Sequence, residues 1–220
     1  MKRNVVWLSV FAIAMALLEA AVVIYLRRLY YPTDVRRIFP PRMLAHLDLV
    51  LELAREAATL IMLLGVALLA ERGFVRVFAA FVYAFGLWDI FYYVWLKVFI
   101  GWPVRWGEWD ILFLIPWAWL GPWVAAVAVA ALFVLWGGAV LTLRGVCHVT
   151  LSEGAVFVAG TTLVLVSFLQ PAFGLLSRGQ LALAAYRPGN FWWGTYVAGL
   201  ALMAVALVWI FIDGRREASQ

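Results

Sequence analysis

The sequence predicts an all-α protein that crosses a membrane several times, with about six transmembrane helices in one domain over residues 1–220. Its composition is 67% hydrophobic and only 13% charged, whereas soluble domains carry roughly 25% charged residues. The apolar residues also form long continuous runs, close to the roughly 20 residues that a helix needs to cross a bilayer. Because lipid offers the backbone no hydrogen bonds, such runs should be helices.

Five of the six predicted spans have the length of a single helix, and the second of them has a charged first half and an apolar second half. They cover residues 4–26, 46–70, 77–100, 154–176 and 191–212. The first follows Lys2 and Arg3, as the apolar region of a signal peptide would. It continues to Leu26, however, and is longer than the roughly 7–15 residues of such a region. We therefore expect it to be retained as a span.

The fourth span, at residues 111–143, is too long for one straight helix. It would be roughly 50 Å long, against a hydrocarbon core of about 30 Å. It contains Pro116 and Pro122, and proline bends or starts a helix because it lacks an N–H group. We expect a proline-kinked segment, with a short bent stretch at residues 111–120 and a true span that begins near Gly121 and Pro122.

Six spans place both termini on one side of the membrane, which we call side A; the other side is side B. An excess of arginine and lysine normally marks the cytoplasmic side, but here arginines occur on both. The side-A connections are short and basic, whereas those of side B are longer and rich in Pro, Tyr, Trp and Gly. From this difference we expect a multi-pass protein of the cell membrane with cytoplasmic termini.

Tryptophan is abundant, with 13 residues, many of them near the side-B ends of the spans. Amphipathic rings suit a membrane interface, and they could also line a cleft that opens to side B. The stretch Pro116-Trp117-Ala118-Trp119-Leu120-Gly121-Pro122 resembles the tryptophan-rich sensory protein family of five-span tetrapyrrole-binding proteins. The resemblance covers this stretch alone and the number of spans differs, so it implies no function here.

Ionisable residues within the predicted spans are the main functional signal. Each costs at least about 2.5 kcal/mol near the bilayer centre, so such groups tend to face protein or water and to pair. The candidate polar cluster consists of Glu19, Asp48, Glu52, Arg55, Glu56, Asp89 and Asp110. Four of them lie at similar depths, roughly 12–17 Å from the side-B ends of their helices: Glu19, Arg55, Glu56 and Asp89.

The charged residues of the second span share one face of that helix: Asp48, Glu52, Arg55 and Glu56. We expect this stripe to face the bundle interior. Arg55 is the natural partner for Glu52, Glu56, Glu19 or Asp89, because its planar guanidinium can bind two carboxylates. The acids outnumber it, so the surplus negative charge requires Lys97, Arg27 or Arg28, a bound cation, or protonation.

Several functions remain open for this cluster. It could stabilise the fold of an accessory membrane subunit, with lipid and other membrane subunits as partners, or it could bind an ion or small solute. Alternatively, the chain could be a small membrane enzyme whose carboxylates bind a metal or perform acid–base chemistry. A scaffold predicts that Arg55 saturates the acids and no cavity remains, whereas an enzyme predicts a pocket open to side B. We favour a non-enzymatic function.

Other chemistry finds little support in the sequence. There is no P-loop, no Gly-x-Gly-x-x-Gly and no Cys-x-x-Cys, and the single cysteine, Cys147, excludes an internal disulfide. His46 and His148 belong to opposite sides, so they would not share a haem. The net charge of +5 is explained by arginines at the membrane borders. We expect no cofactor and no nucleic-acid partner.

Overall fold

The structure, a computed structural model, describes residues 2–42, 44–143, 148–176 and 186–217, and Cys147 lies outside these ranges. The described residues contain six helices that are long and apolar enough to cross a membrane. They also contain one antiparallel pair of short strands. The prediction of an all-α polytopic membrane protein is therefore confirmed.

The helices follow the predicted spans closely. The elements in chain order are α1 (Lys2–Tyr30), α2 (His46–Ala70), α3 (Phe74–Ile100), β1 (Trp109–Phe113), β2 (Trp119–Pro122), α4 (Trp123–Thr142), α5 (Leu151–Leu176) and α6 (Trp193–Glu217). The second helix has the predicted bounds, and the first, third, fifth and sixth differ from their predicted spans by a few residues at one or both ends.

The region before α4 departs from its prediction in one respect. The bent stretch expected at residues 111–120 is part of a β-hairpin, in which Asp110 pairs with Gly121 and Ile111 with Leu120. Helix α4 begins at Trp123, directly after the expected start. Backbone groups inside a membrane protein must be satisfied within the protein, and antiparallel pairing achieves this for the inner edges of both strands.

Two hydrogen bonds fix which helix ends lie together. Asn4 Nδ2 at the start of α1 donates to the carbonyl oxygen of Ala70 at the end of α2, at 2.8 Å. Arg76 Nη1 at the start of α3 donates to the carbonyl oxygen of Leu143 after α4, at 3.1 Å. These four ends therefore lie at one end of the bundle, which is side A of the predicted topology.

The side-A half of the bundle is densely packed. Its buried residues are largely small or aliphatic and include Leu8, Ala12, Ala16, Leu63, Ala67 and Ala80. Helix α3 packs against α1, α2 and α4. Helix α3 also approaches α4 closely: a Cβ atom added at Gly86 would lie only 2.5 Å from the carbonyl oxygen of Ala130. Small residues allow such contact between membrane helices.

Helices α5 and α6 form a second close pair, in which two glycines face each other. A Cβ on Gly160 would lie 2.7 Å from the carbonyl oxygen of Gly199, and the converse distance is also 2.7 Å. Both distances are far below an ordinary van der Waals contact. The backbones can approach this closely only because neither residue has a side chain.

We predict that Gly199→Ala destabilises the protein by about 1–3 kcal/mol, the usual cost of overpacking. The added methyl group would meet backbone atoms of Gly160 and Val164, which cannot rotate away as a side chain can. Thermal unfolding of purified protein in detergent, followed by circular dichroism, measures the change.

Gly194→Ala is the matched control, because it lies in the same helix and a Cβ there would have no atom within 4 Å. It should leave the unfolding temperature unchanged or raise it slightly, since alanine favours helix more than glycine by roughly 0.5–1 kcal/mol. Equal unfolding temperatures for the two variants would contradict the proposed close contact.

Candidate functional site

A cavity of about 690 Å³ occupies the side-B half of the bundle. Its walls come from α1, α2, α3, the β-hairpin and residues between α1 and α2, among them Tyr31, Ile38 and Arg42. Six of the seven residues of the candidate polar cluster line it: Glu19, Glu52, Arg55, Glu56, Asp89 and Asp110. The seventh, Asp48, is not in the cavity wall and accepts a hydrogen bond from the Tyr30 hydroxyl group.

Helix α2 contributes to the cavity through the stripe seen in its sequence. Its buried residues are Glu52, Glu56, Thr59, Leu63 and Ala67, spaced three or four apart on one face. The face is charged in the side-B half and apolar in the side-A half. Other side chains of α2, such as Leu51 and Leu69, are exposed on the outside of the bundle. The stripe therefore points into the bundle, and its polarity changes where the cavity ends.

Arg55 joins α1 to α2 through two carboxylates. Its Nε donates to both oxygens of Glu52 at 3.2 Å, and its Nη2 donates to Glu52 Oε2 at 2.6 Å. Its Nη1 donates to Glu19 of α1. These are two of the four acids considered as partners from the sequence. A guanidinium that binds two carboxylates neutralises only one of them, so this triad retains a formal charge of −1.

Glu56 has a different partner, because it accepts hydrogen bonds from the backbone. The amide N–H of Leu114, just after β1, lies 2.9 and 3.0 Å from its two carboxylate oxygens. This contact holds the hairpin against α2 and satisfies a backbone donor that pairing with β2 leaves free. No arginine forms an ion pair with Glu56 among the described residues.

Arg27 and Asp110 form an ion pair beneath the side-B loops. The distance from Nη2 to Oδ1 is 3.3 Å, and the side chains are only 5% and 4% exposed. The guanidinium lies over the Trp102 ring, 4.2 Å from its centroid. Its Nη1 atom is buried without a hydrogen-bond partner in the described part of the chain. Burial raises the pKa of the Asp110 carboxyl group, and Arg27 opposes that shift.

The other two cations considered for the surplus charge lie elsewhere. Lys97 donates to the carbonyl oxygens of Pro103 at 2.7 Å and Gly101 at 3.4 Å. It therefore caps the end of α3, where a cation also complements the helix dipole. Arg28 is exposed and does not line the cavity. Of the three, Arg27 alone reaches the cavity wall.

Asp89 of α3 is the least compensated charge in the cavity wall. It makes no hydrogen bond or ion pair with any described residue, and its carboxylate and that of Asp110 repel each other. The lining as a whole contains five acids and three arginines, the third being Arg42 of the loop. Its formal charge is −2, and Arg42 is exposed.

Two aromatic lining residues were missed by the sequence analysis, although spacing could have indicated them. Tyr92 and Tyr93 follow Asp89 by three and four residues, which places them on its side of α3. Both line the cavity. The contribution of the Leu114 backbone had no comparable signal.

The metal-binding version of the enzyme hypothesis gains no support from this geometry. No group of three or more His, Cys, Asp or Glu side chains that could hold a metal ion occurs in the described ranges. His46, the histidine nearest to Glu52 in the sequence, is exposed and does not line the cavity. Glu19 and Glu52 instead share Arg55, whereas Glu56 accepts from the Leu114 amide and Asp110 pairs with Arg27.

We predict that Arg55→Ala destabilises the protein by about 3 kcal/mol or more, because it leaves Glu19 and Glu52 without their common counter-ion in a buried site. Thermal or denaturant unfolding in detergent measures the loss. Arg36→Ala is the control, since Arg36 forms an exposed pair with Asp34; its cost should stay below about 1 kcal/mol.

A second experiment separates the two contributions to the lost stability of Arg55→Ala: the unpaired carboxylates and the lost packing of the arginine side chain. Adding Glu19→Gln and Glu52→Gln to Arg55→Ala should recover part of the stability, because the carboxylates that were left unpaired are then neutral. If the triple variant is no more stable than Arg55→Ala alone, the triad does not act through charge.

No protein-family model matches this chain, and no curated protein or solved structure is significantly similar to it. The cavity and the chemistry of its walls are therefore the basis for a functional proposal.

Proposed function

We propose that this protein binds a small organic cation, such as an amine or a quaternary ammonium compound, in the side-B cavity. We further propose that it does so as a non-enzymatic protein of the cell membrane, with cytoplasmic termini. The observation that carries the proposal is Asp89, a carboxylate without a described partner in the wall of a cavity of about 690 Å³.

The charge balance favours a cation over an anion. An unpaired carboxylate in a low-dielectric environment requires a proton or a positive ligand. Arg55 is already shared by Glu19 and Glu52, and Arg27 is paired with Asp110. Neither arginine is available to Asp89. A ligand cation in the deep part of the cavity would supply the missing charge.

The size and lining of the cavity favour an organic ligand over a bare metal ion. Its volume lies within the roughly 300–1,000 Å³ that is typical of small-molecule sites. Trp88, Tyr92, Tyr93 and Trp117 contribute to the wall. Aromatic faces attract cations, and cages of such rings recognise quaternary ammonium groups. An aromatic wall with an adjacent carboxylate therefore suits an alkylated ammonium head.

Binding is supported better than the alternatives from the sequence. A network that served only to stabilise an accessory subunit would fill its own space, whereas here a large cavity remains beside the ion pairs. A route through the protein would need polar groups towards side A. The apolar packing of Leu63 and Ala67 lies there instead. Thr161 and Thr162 of α5 do not provide such a route, because their hydroxyl groups donate hydrogen bonds to carbonyl oxygens of their own helix.

We predict that Asp89→Asn weakens the binding of tetramethylammonium by at least about tenfold, a loss of roughly 1.4 kcal/mol. The substitution removes the charge while keeping the shape, and no described hydrogen bond depends on this side chain. Isothermal titration calorimetry on protein in lipid nanodiscs measures the affinity. Asp34→Asn is the control, because Asp34 is a side-B acid in an exposed pair outside the cavity.

A second comparison tests the role of ligand charge. Choline should bind, whereas the neutral alcohol in which carbon replaces its nitrogen should bind at least about tenfold more weakly, although the two have the same shape. If neither tetramethylammonium nor choline binds saturably to the wild type, the proposed function is refuted. Equal affinities of the wild type and Asp89→Asn would remove Asp89 from it.

A further inference from the structure

A second depression lies on the outside of the bundle, between α1 and α2. Its volume is about 360 Å³. We call it the α1/α2 groove, and it is lined by Val22, Tyr25, Leu26, Leu29, Asp48, Leu51, Glu52 and Arg55. Three of these residues, Leu26, Glu52 and Arg55, also line the cavity. The groove and the cavity thus meet at one wall.

The outer part of the groove faces the lipid. Tyr25 and Leu29 of α1 are each 67% exposed, and Leu51 of α2 is 56% exposed. All three lie in α1 or α2, which are long and apolar enough to cross a membrane. In a membrane, their surroundings are therefore hydrocarbon or the interface. The outer groove is therefore an apolar channel along the protein surface that an acyl chain can occupy.

The inner end of the groove is polar and carries more acid than base. Asp48, Glu52 and Arg55 form it, and their formal charge is −1. One helical turn beyond Glu52 on the same face of α2 lies Glu56, inside the cavity. A ligand in the groove would thus have hydrocarbon at its outer end and an excess of negative charge at its inner end.

We propose that the ligand is a single-chain amphiphile with a cationic head, which reaches the site from the lipid between α1 and α2. This inference rests on the proposed function and specifies its ligand class. The head lies in the cavity near Glu56 and Asp89, and the chain lies in the α1/α2 groove. An anionic head group would be repelled by the acidic side chains of both the cavity and the groove. A ligand without a chain would leave the groove to lipid.

The boundary between the two compartments is the Arg55 triad. Its contact with Glu19 and the contact of Tyr30 with Asp48 join α1 to α2 on either side of the proposed path of the ligand. The Arg55–Glu19 contact joins side chains only, whereas the Tyr30 hydroxyl group also accepts a hydrogen bond from the Ala45 amide at 3.0 Å. The helices can therefore separate at Arg55 without breaking a backbone hydrogen bond. The chain of the ligand passes between these two contacts.

The test compares short-chain and long-chain cations on protein in nanodiscs of one lipid composition. Tetramethylammonium probes the cavity alone, and decyltrimethylammonium probes the cavity and the groove together. Val22→Trp fills the groove, because Val22 lines it but not the cavity. Val10→Trp is the matched control, an exposed valine on the same helix outside both compartments.

We expect Val22→Trp to weaken the binding of decyltrimethylammonium by at least about tenfold and to leave tetramethylammonium affinity unchanged. The retained affinity for the short cation also shows that the variant is folded. Val10→Trp should change neither affinity, and the membrane partitioning of the long cation is the same for both variants. Leu51→Trp, on the opposite wall of the groove, should reproduce the effect of Val22→Trp.

The failure of this inference differs from the failure of the proposed function. If decyltrimethylammonium binds Val22→Trp, Leu51→Trp and Val10→Trp equally well, the chain does not use the groove and the inference is overturned. Tetramethylammonium binding, with its dependence on Asp89, would then still support the cavity as a cation site. If tetramethylammonium does not bind the wild type, both proposals fail.

Discussion

The side-B half of this protein depends on the contact of Arg55 with two carboxylates from two helices. In a low-dielectric environment, Glu19 and Glu52 would repel each other strongly without a cation between them. Arg55 converts this repulsion into a link between α1 and α2, which contact each other far less than α1 and α3 do. The wall between the cavity and the lipid exists because this link is made.

Much of the architecture could be predicted from the sequence, because a bilayer imposes simple length and polarity requirements. Continuous apolar runs give the spans, and the bounds of α2 agree with the prediction. Charges spaced three or four apart along α2 indicate a buried stripe. The depths of Glu19, Arg55 and Asp89 could also be counted from the helix ends. The face of a helix on which a residue lies, and its depth in a span, both follow from residue spacing, which can be counted in a single sequence.

The features that could not be predicted depend on contacts between distant segments. The β1 sequence is apolar and short, and such a run does not distinguish a strand from a piece of buried helix. Its conformation is supported by pairing with β2 and by the contact of the Leu114 amide with Glu56, 58 residues earlier. Likewise, helical spacing includes Asp48 in the charged stripe. Its position in the first turn of α2 brings it to Tyr30 rather than to the cavity.

The division of the bundle into a packed half and a hollow half has a physical basis. A cavity with charged walls loses packing contacts and burial of apolar surface, so the stability of the chain must come largely from elsewhere. The close approaches of Gly86 to Ala130 and of Gly160 to Gly199 supply direct contact between helix backbones, of the kind that small residues allow in membrane proteins. With those contacts in place, α2 can present acids rather than apolar side chains on its inner face near side B. A ligand cation would then stabilise the half that is least stable without it, because it would neutralise carboxylates that the protein leaves unpaired.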